Sequence, residues 1–75
     1  MDIREVFARN LRKIRQARRL SQEALAHEAG IDRTYISALE RCVYSATIDM
    51  VDKLAAALGV EPADLLQRSS RPRKS

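Results

Sequence analysis

The side chains best suited to specific hydrogen bonding lie in one short stretch that follows Asp32. Helical spacing places Arg33, Thr34, Ser37 and Ala38 on one outward face. An arginine guanidinium can donate two parallel hydrogen bonds to O6 and N7 of guanine, and threonine offers a hydroxyl or a methyl group. Alanine donates nothing, but its methyl group can contact a thymine methyl. The four side chains are candidate base contacts; for Arg33 the alternative is a solvated arginine paired with Asp32 or a phosphate.

Arrangements that support catalysis or metal binding are missing from the sequence. It contains no carboxylate pair, Ser/His/Asp set, glycine-rich phosphate loop or metal-ligand spacing. His27, the single histidine, is predicted to be an exposed helical residue. Cys42, the single cysteine, cannot form an internal disulfide, and an inert thiol is favoured over a redox-sensing one. We therefore expect no enzyme activity, no metal and no cofactor.

Two short helices joined by a tight turn must position the candidate base contacts. The first is predicted over about 22–29, with Ser21 as its N-cap and Gly30 as the left-handed residue that ends it. The second is predicted over about 33–41, with Asp32 as its N-cap and its apolar residues facing inward. Two helices, a glycine turn and an exposed polar second helix describe a helix-turn-helix unit, whose second helix enters the DNA major groove.

Apolar periodicity and caps predict three further helices. One spans about 2–18, where apolar residues recur at spacings of four, four and three. Another runs from the N-cap Thr47 to the left-handed cap Gly59, and the last covers about 62–67. The inward residues of the fourth helix are predicted to be Ile48, Val51, Leu54, Ala55 and Leu58. The predicted fold is all-α, a compact five-helix bundle.

Charge is distributed unevenly along the 75 residues, whose net charge is +4. Residues 1–20 carry +5, residues 21–67 carry −5 and residues 68–75 carry +4. This pattern favours a few placed basic groups on DNA over a general polyanion coat. We predict one domain over 1–67 and a disordered basic tail over 68–75. No apolar run reaches the roughly 20 residues that cross a membrane, and no signal peptide is present, so a cytoplasmic protein is expected.

An ordered set of residues along nearly the whole chain resembles the lambda-repressor-like, Xre/Cro-type family of bacterial and phage DNA-binding domains. The matching segments are Leu20-Ser21-Gln22, Leu25-Ala26, Ala29-Gly30-Ile31, Ile36-Ser37, Leu39-Glu40-Arg41, Thr47-Ile48, Leu54-Ala55 and Ala57-Leu58-Gly59-Val60. The resemblance covers about residues 3–67 and implies the lambda-repressor-like fold. Cys42 stands where the family usually has glycine. Either the loop differs there, or the cysteine accepts a left-handed conformation that costs on the order of 1 kcal/mol.

The resemblance also implies roles for residues outside the base-facing set. Gln22 and Arg41 match positions suited to contact DNA phosphates. Arg15 and Glu40 match a structural ion pair that fixes the recognition helix on the scaffold. Further phosphate candidates are Tyr35, Tyr44, Arg18 and Arg19. For the two tyrosines, the alternatives are packing between helices and an exposed position without function.

These observations predict a sequence-specific transcription regulator that binds a pseudo-palindrome in double-stranded DNA as a homodimer. The half-sites would lie about one helical turn, or ~34 Å, apart. Val60, Leu65 and Leu66 are candidates for the dimer surface; the alternative is that they only close the monomer core. No small-molecule effector is expected, and control of its own promoter fits so small a regulator.

Two questions about function stay open at the level of sequence. The stretch 32–37 most resembles controller proteins of restriction–modification systems, and a phage or mobile-element repressor is the alternative subtype. A protein-interaction module, such as an antitoxin or anti-regulator that keeps the fold without contacting DNA, is the alternative class. RNA binding is a weaker third option. The polar outer face of the third helix favours the DNA-binding hypothesis.

Overall fold

A computed structural model describes residues 2–68 and folds them into five α-helices. The helices are α1 (Ile3–Ala17), α2 (Gln22–Ala29), α3 (Arg33–Glu40), α4 (Ile48–Leu58) and α5 (Pro62–Leu66). The predicted five-helix architecture is confirmed, and every helix boundary lies within one residue of its prediction. Residues 69–75, which make up most of the predicted basic tail, lie outside the described residues.

Local capping explains why the boundaries were predictable. α1 to α4 each follow an N-cap whose side-chain oxygen accepts a backbone N–H of the first turn, at 2.7–3.1 Å. These caps are Asp2, Ser21, Asp32 and Thr47. α2 and α4 end at their predicted glycines, both in the left-handed conformation. The turn between α2 and α3 is therefore defined by local sequence on both sides.

The core lies where the helices meet and consists mainly of leucine. Its fully buried large side chains are Leu11, Leu25, Ile36, Leu39, Leu54, Leu58 and Leu65. α1 packs against α3 and α5, α2 against α3 and α4, and α4 against α5. The helix-turn-helix formed by α2 and α3 is thus held from behind by α1 and α4. Its outer face and the N-terminus of α3 stay at the surface.

A side chain of α1 fastens the last helix to the bundle. The Asn10 amide nitrogen donates to the carbonyl oxygen of Leu65 at 3.0 Å and to that of Gln67 at 2.8 Å. α5 has only five residues, too few to be stable as an isolated helix. The buried Leu65 side chain and these two hydrogen bonds therefore fix its position.

Two apolar residues differ from the predicted burial. Leu65, a candidate for the dimer surface, is fully buried because α5 docks on α1 and α4 through this side chain. That part of the dimer prediction is wrong, and Leu65 closes the monomer core. Ile48, predicted to face inward, is 88% exposed, and the residues of α4 that pack on the core begin at Met50. Of the other dimer candidates, Val60 packs half-buried on the core, and Leu66 is 41% exposed.

Cys42 adopts the left-handed conformation for which the resembled family uses glycine. Its φ is 60°, and Arg19, in the turn between α1 and α2, has a similar φ of 59°. The cysteine therefore accepts the left-handed conformation and its strain. Its Sγ lies 3.4 Å from the carbonyl oxygen of Arg4, the hydrogen-bonding contact that the structure gives the thiol.

We expect Cys42→Gly to raise the free energy of unfolding by up to about 1 kcal/mol. The substitution removes the left-handed strain, and the greater freedom of glycine in the unfolded chain offsets part of the gain. Thermal unfolding would show an increase in Tm of up to about 4–8 °C for a domain of this size. Cys42→Ala keeps the Cβ atom and removes only the thiol, so it should give no increase. An equal increase in both variants would show that the thiol, not the backbone, is the source.

Candidate nucleic-acid interface

The exposed polar side chains of the helix-turn-helix lie at the N-terminus of α3. One carboxylate oxygen of Asp32 accepts the backbone N–H of Thr34 at 2.9 Å and the Thr34 hydroxyl at 2.8 Å. Arg33 is exposed, and no hydrogen bond or ion pair joins it to another residue of the range 2–68. The predicted alternative, a pair between Arg33 and Asp32, is therefore not formed. The guanidinium keeps all its donors for a ligand.

The pKa of Asp32 lies below its ordinary value, and the first turn of α3 should respond to acid. The main cause is the hydrogen bond from the backbone N–H of Thr34, followed by the bond from its hydroxyl. A carboxyl group with a lowered pKa in the folded chain contributes stability above its unfolded pKa. That contribution is lost as the pH falls through the folded pKa. In NMR spectra, we expect the Thr34 amide signal to change position as the pH falls below 3.8, the ordinary pKa of Asp.

Asp32→Asn is the matched control for this pH response, because asparagine keeps an oxygen acceptor at the N-cap and does not titrate. The Thr34 amide of the variant should be insensitive to pH over the same range. An identical response in the variant would show that another group causes the change.

The second turn of α3 is less accessible than predicted. Ser37 is half-buried. Ala38 is only 5% exposed, so the prediction that it contacts a base is wrong. The reason is the loop after α3, which folds back and places the Val43 backbone N–H 2.9 Å from the Ala38 carbonyl oxygen. The accessible base-contacting candidates are therefore concentrated at Arg33 and Thr34.

Tyr35 and Tyr44 form an aromatic pair beside α3. Their ring centroids lie 5.8 Å apart with the planes inclined by 37°, an arrangement within the range favoured by aromatic pairs. Tyr35 is half-buried against the core, whereas Tyr44 is 55% exposed in the loop between α3 and α4. With Thr34 and Arg41 they line an open cleft of about 280 Å³. Packing accounts for the Tyr35 ring, and a phosphate contact by either hydroxyl stays a prediction.

A buried carboxylate joins the ends of three helices behind this surface. Glu40 is 7% exposed and is the only buried charged residue in the range 2–68. Arg15 donates from Nε to Oε2 at 2.6 Å and from Nη2 to Oε1 at 3.0 Å, which is the ion pair that the resemblance implies. Its Nη1 also donates to the Leu20 carbonyl at 2.8 Å. The Gln22 side-chain amide adds a third donor, with Nε2 3.1 Å from Oε1 of Glu40.

The other basic candidates lie at separate positions around α2 and α3. Arg41 is exposed at the C-cap of α3, with Nε 3.4 Å from the Ser37 carbonyl oxygen. Arg19 is exposed in the turn between α1 and α2. The Arg18 guanidinium lies against Gly59, where an added Cβ atom would be 3.0 Å from Nη2. A cation is favourable at the carboxyl end of a helix such as α4, and a phosphate contact by Arg18 stays a prediction.

Two other kinds of site are not found among the described residues. Within residues 2–68, no group of three or more His, Cys, Asp or Glu side chains is arranged to hold a metal ion. No helix in that range combines the length and apolar character needed to span a membrane. The polar face around the start of α3 is therefore the candidate site of greatest interest in this part of the chain.

The fold and this surface define a small helix-turn-helix protein. The helix-turn-helix family matches residues 11–65, and the chain belongs to this family. The membership predicted from the sequence is confirmed. The members that the chain resembles are transcription regulators and controller proteins, not enzymes.

Three relatives show the extent of the similarity. A hypothetical transcription factor of Neisseria meningitidis is 46% identical over 65 residues, which cover 87% of this chain and 61% of the relative. The chain thus spans less than two thirds of that protein. The control protein C.BamHI of Bacillus amyloliquefaciens is 44% identical over 66 residues, covering 87% and 82%. The restriction–modification controller protein C.Esp1396I, solved as a tetramer with its natural 35-base-pair operator, is 29% identical with a TM-score of 0.80, covering 87% and 86%.

Proposed function

We propose that the protein is a transcription regulator that binds double-stranded DNA sequence-specifically as a homodimer. The observation that carries this proposal is the start of α3, where Arg33 and Thr34 are exposed and the Arg33 guanidinium makes no hydrogen bond or ion pair within the range 2–68. The second helix of a helix-turn-helix enters the major groove with its N-terminal residues toward the bases. The similarity to C.BamHI and to operator-bound C.Esp1396I supports a controller of a restriction–modification system.

The hydrogen bonds within α3 define what each base contact can recognise. Arg33 can donate both hydrogen bonds of its fork to guanine O6 and N7. The Thr34 hydroxyl already donates its hydrogen to Asp32, so its oxygen acts as an acceptor toward a base. An acceptor at this position suits the amino group of adenine or cytosine. We therefore expect guanine and an amino-bearing base to be neighbouring elements of each half-site.

The dimer surface that we propose is an apolar cleft between α1, α5 and the loop that precedes α4. Ile3, Tyr44 and Leu66 are 45%, 55% and 41% exposed, and all three line a cleft of about 280 Å³. Ile48, at the start of α4, adds a side chain that is 88% exposed. The five helices of residues 2–68 bury limited apolar surface, so covering this face would also stabilise the fold. A second copy is the occupant we assign, because a two-fold dimer matches a palindromic DNA site.

We expect Ile48→Lys and Leu66→Lys each to shift the protein from dimer to monomer, because each places a charge on a surface that the dimer buries. Sedimentation equilibrium over a range of concentrations would measure the change. Val43→Lys is the matched control, since Val43 is 55% exposed but does not line the apolar cleft. Unchanged association in both test variants would locate the dimer surface elsewhere.

The test of the proposed function is selection of bound duplexes from a random DNA library by the purified protein. Salt should be about 150 mM, because nonspecific phosphate binding dominates at lower concentrations. We expect enrichment of a two-fold symmetric motif with half-sites about 10 base pairs apart. Absence of any enriched motif would overturn the proposal and favour a protein-interaction module.

A further inference from the structure

We infer that Glu40 is a positioning residue for DNA binding, which fixes the Gln22 side-chain amide so that it donates to a backbone phosphate. The inference rests on the proposed function and deepens it. It assigns Glu40 a role beyond the ion pair with Arg15. That role depends on a hydrogen bond between residues 18 positions apart.

The geometry of the Gln22 amide supports this role. Its Nε2 carries two hydrogens, and one of them is directed at Oε1 of Glu40, 3.1 Å away. The second hydrogen must then point away from that carboxylate. Because Glu40 is 7% exposed and Gln22 is half-buried, the buried group holds a side chain that reaches the surface. The oriented amide therefore presents one donor to a ligand.

The position of Gln22 in α2 explains why that donor suits a phosphate. Gln22 is the first residue of α2, directly after the N-cap Ser21. Backbone N–H groups in the first turn of a helix have no acceptor within the helix, and the helix dipole makes this end positive. The Ser21 side chain accepts one of these groups, the N–H of Ala24, at 2.9 Å. The Gln22 amide thus adds a side-chain donor to an existing set of backbone donors.

The ion pair with Arg15 allows the Glu40 carboxylate to lie near the proposed phosphate position. An unpaired negative charge next to a phosphate would repel it. Arg15 donates two hydrogen bonds to Glu40, and the two side chains are only 11% and 4% exposed. The cation therefore cancels the charge of the carboxylate while its Oε1 still accepts from Gln22. The same group fixes the end of α3 and the donor at the start of α2 relative to each other.

The test compares Gln22→Ala in two backgrounds, the natural chain and the Arg15→Met/Glu40→Met variant. Replacing both members of a buried ion pair by apolar residues is often neutral or stabilising, so this background should fold. The probe is a random-sequence duplex at low salt, because a phosphate contact does not depend on base sequence. In the natural background, losing one charge-assisted hydrogen bond should weaken binding roughly tenfold. In the double-variant background, Glu40 no longer positions the Gln22 amide. Gln22→Ala should then weaken DNA binding by less than about twofold, well below one tenfold step of affinity.

The salt dependence distinguishes an uncharged phosphate contact from a charged one. Gln22 is uncharged and releases no counterion, so Gln22→Ala should leave the slope of log K against log salt unaltered. Arg41→Ala is the matched control and should flatten that slope by about one. An equal fold-loss on Gln22→Ala in both backgrounds would overturn the inference while leaving the proposed function intact. Failure of the natural chain to bind any duplex would overturn both.

A second measurement uses the natural chain and so does not depend on how the variants fold. In NMR spectra of the free protein, one Nε2 proton of Gln22 should be protected from exchange and the other should not. Addition of duplex should shift the second proton and leave the first in place. Two equally exposed protons in the free protein would overturn the inference.

Discussion

Arg15→Met is expected to lower the free energy of unfolding by about 3–5 kcal/mol, because Glu40 would be left buried without its cation. That is a large part of the roughly 5–15 kcal/mol that stabilises a small domain. The carboxylate would keep only the Gln22 amide as a donor, and the Leu20 carbonyl would lose its bond from Nη1. Urea unfolding followed by circular dichroism would measure the loss as a lower midpoint.

Two controls separate the buried charge from other effects of this substitution. Arg12→Met changes an exposed arginine of the same helix and should alter stability by no more than about 0.5 kcal/mol. Arg15→Met/Glu40→Met removes both charges and should recover most of the loss. If Arg15→Met were no more harmful than Arg12→Met, the ion pair would contribute nothing measurable to the fold.

Arg33→Ala is expected to reduce discrimination at one base pair in each half-site by about 1–3 kcal/mol, the value of a bidentate contact to guanine. The fold should be unaffected, since Arg33 is exposed and makes no hydrogen bond or ion pair within residues 2–68. Library selection with the variant would show one position losing its preference while the others keep theirs. Competition binding with duplexes changed at that position would give the magnitude.

Arg33→Lys tests whether the fork of the guanidinium is the source of selectivity. Lysine keeps the charge and loses the paired donors, so it should retain nonspecific affinity and lose most of the discrimination. Arg41→Ala should instead weaken binding to all sequences alike. Full selectivity in Arg33→Ala would contradict the assigned role and place base recognition elsewhere on α3.

The features that the sequence predicted correctly are those encoded within a few residues. The helix boundaries follow from caps such as Asp32 and Thr47, whose hydrogen bonds span two or three positions. The family resemblance added the Arg15–Glu40 pair, which no local pattern indicates. These two sources of information account for the fold and for the exposed start of α3.

The features that the sequence did not predict depend on how distant segments pack. Periodicity placed Ala38 on the outer face of α3, but it could not show that the following loop covers this residue. Likewise, the spacing within α4 does not reveal that the core begins after Ile48. The family resemblance predicts that the Gln22 amide contacts a DNA phosphate, and it gives no contact between Gln22 and Glu40. A periodic pattern carries no signal for its hydrogen bond to Glu40, which joins two separate helices.

The attachment of α5 by Asn10 bears on when the protein can fold during its synthesis. The two hydrogen bonds join positions 55 and 57 residues apart, and Leu65 completes a core that begins in α1. A ribosome adds about 5–20 residues per second, so the first helix emerges seconds before its last partner. Until residue 67 has left the ribosome, the apolar side of α1 stays partly uncovered. A native bundle can therefore form only after α5 and residue 67 are available to pack on α1.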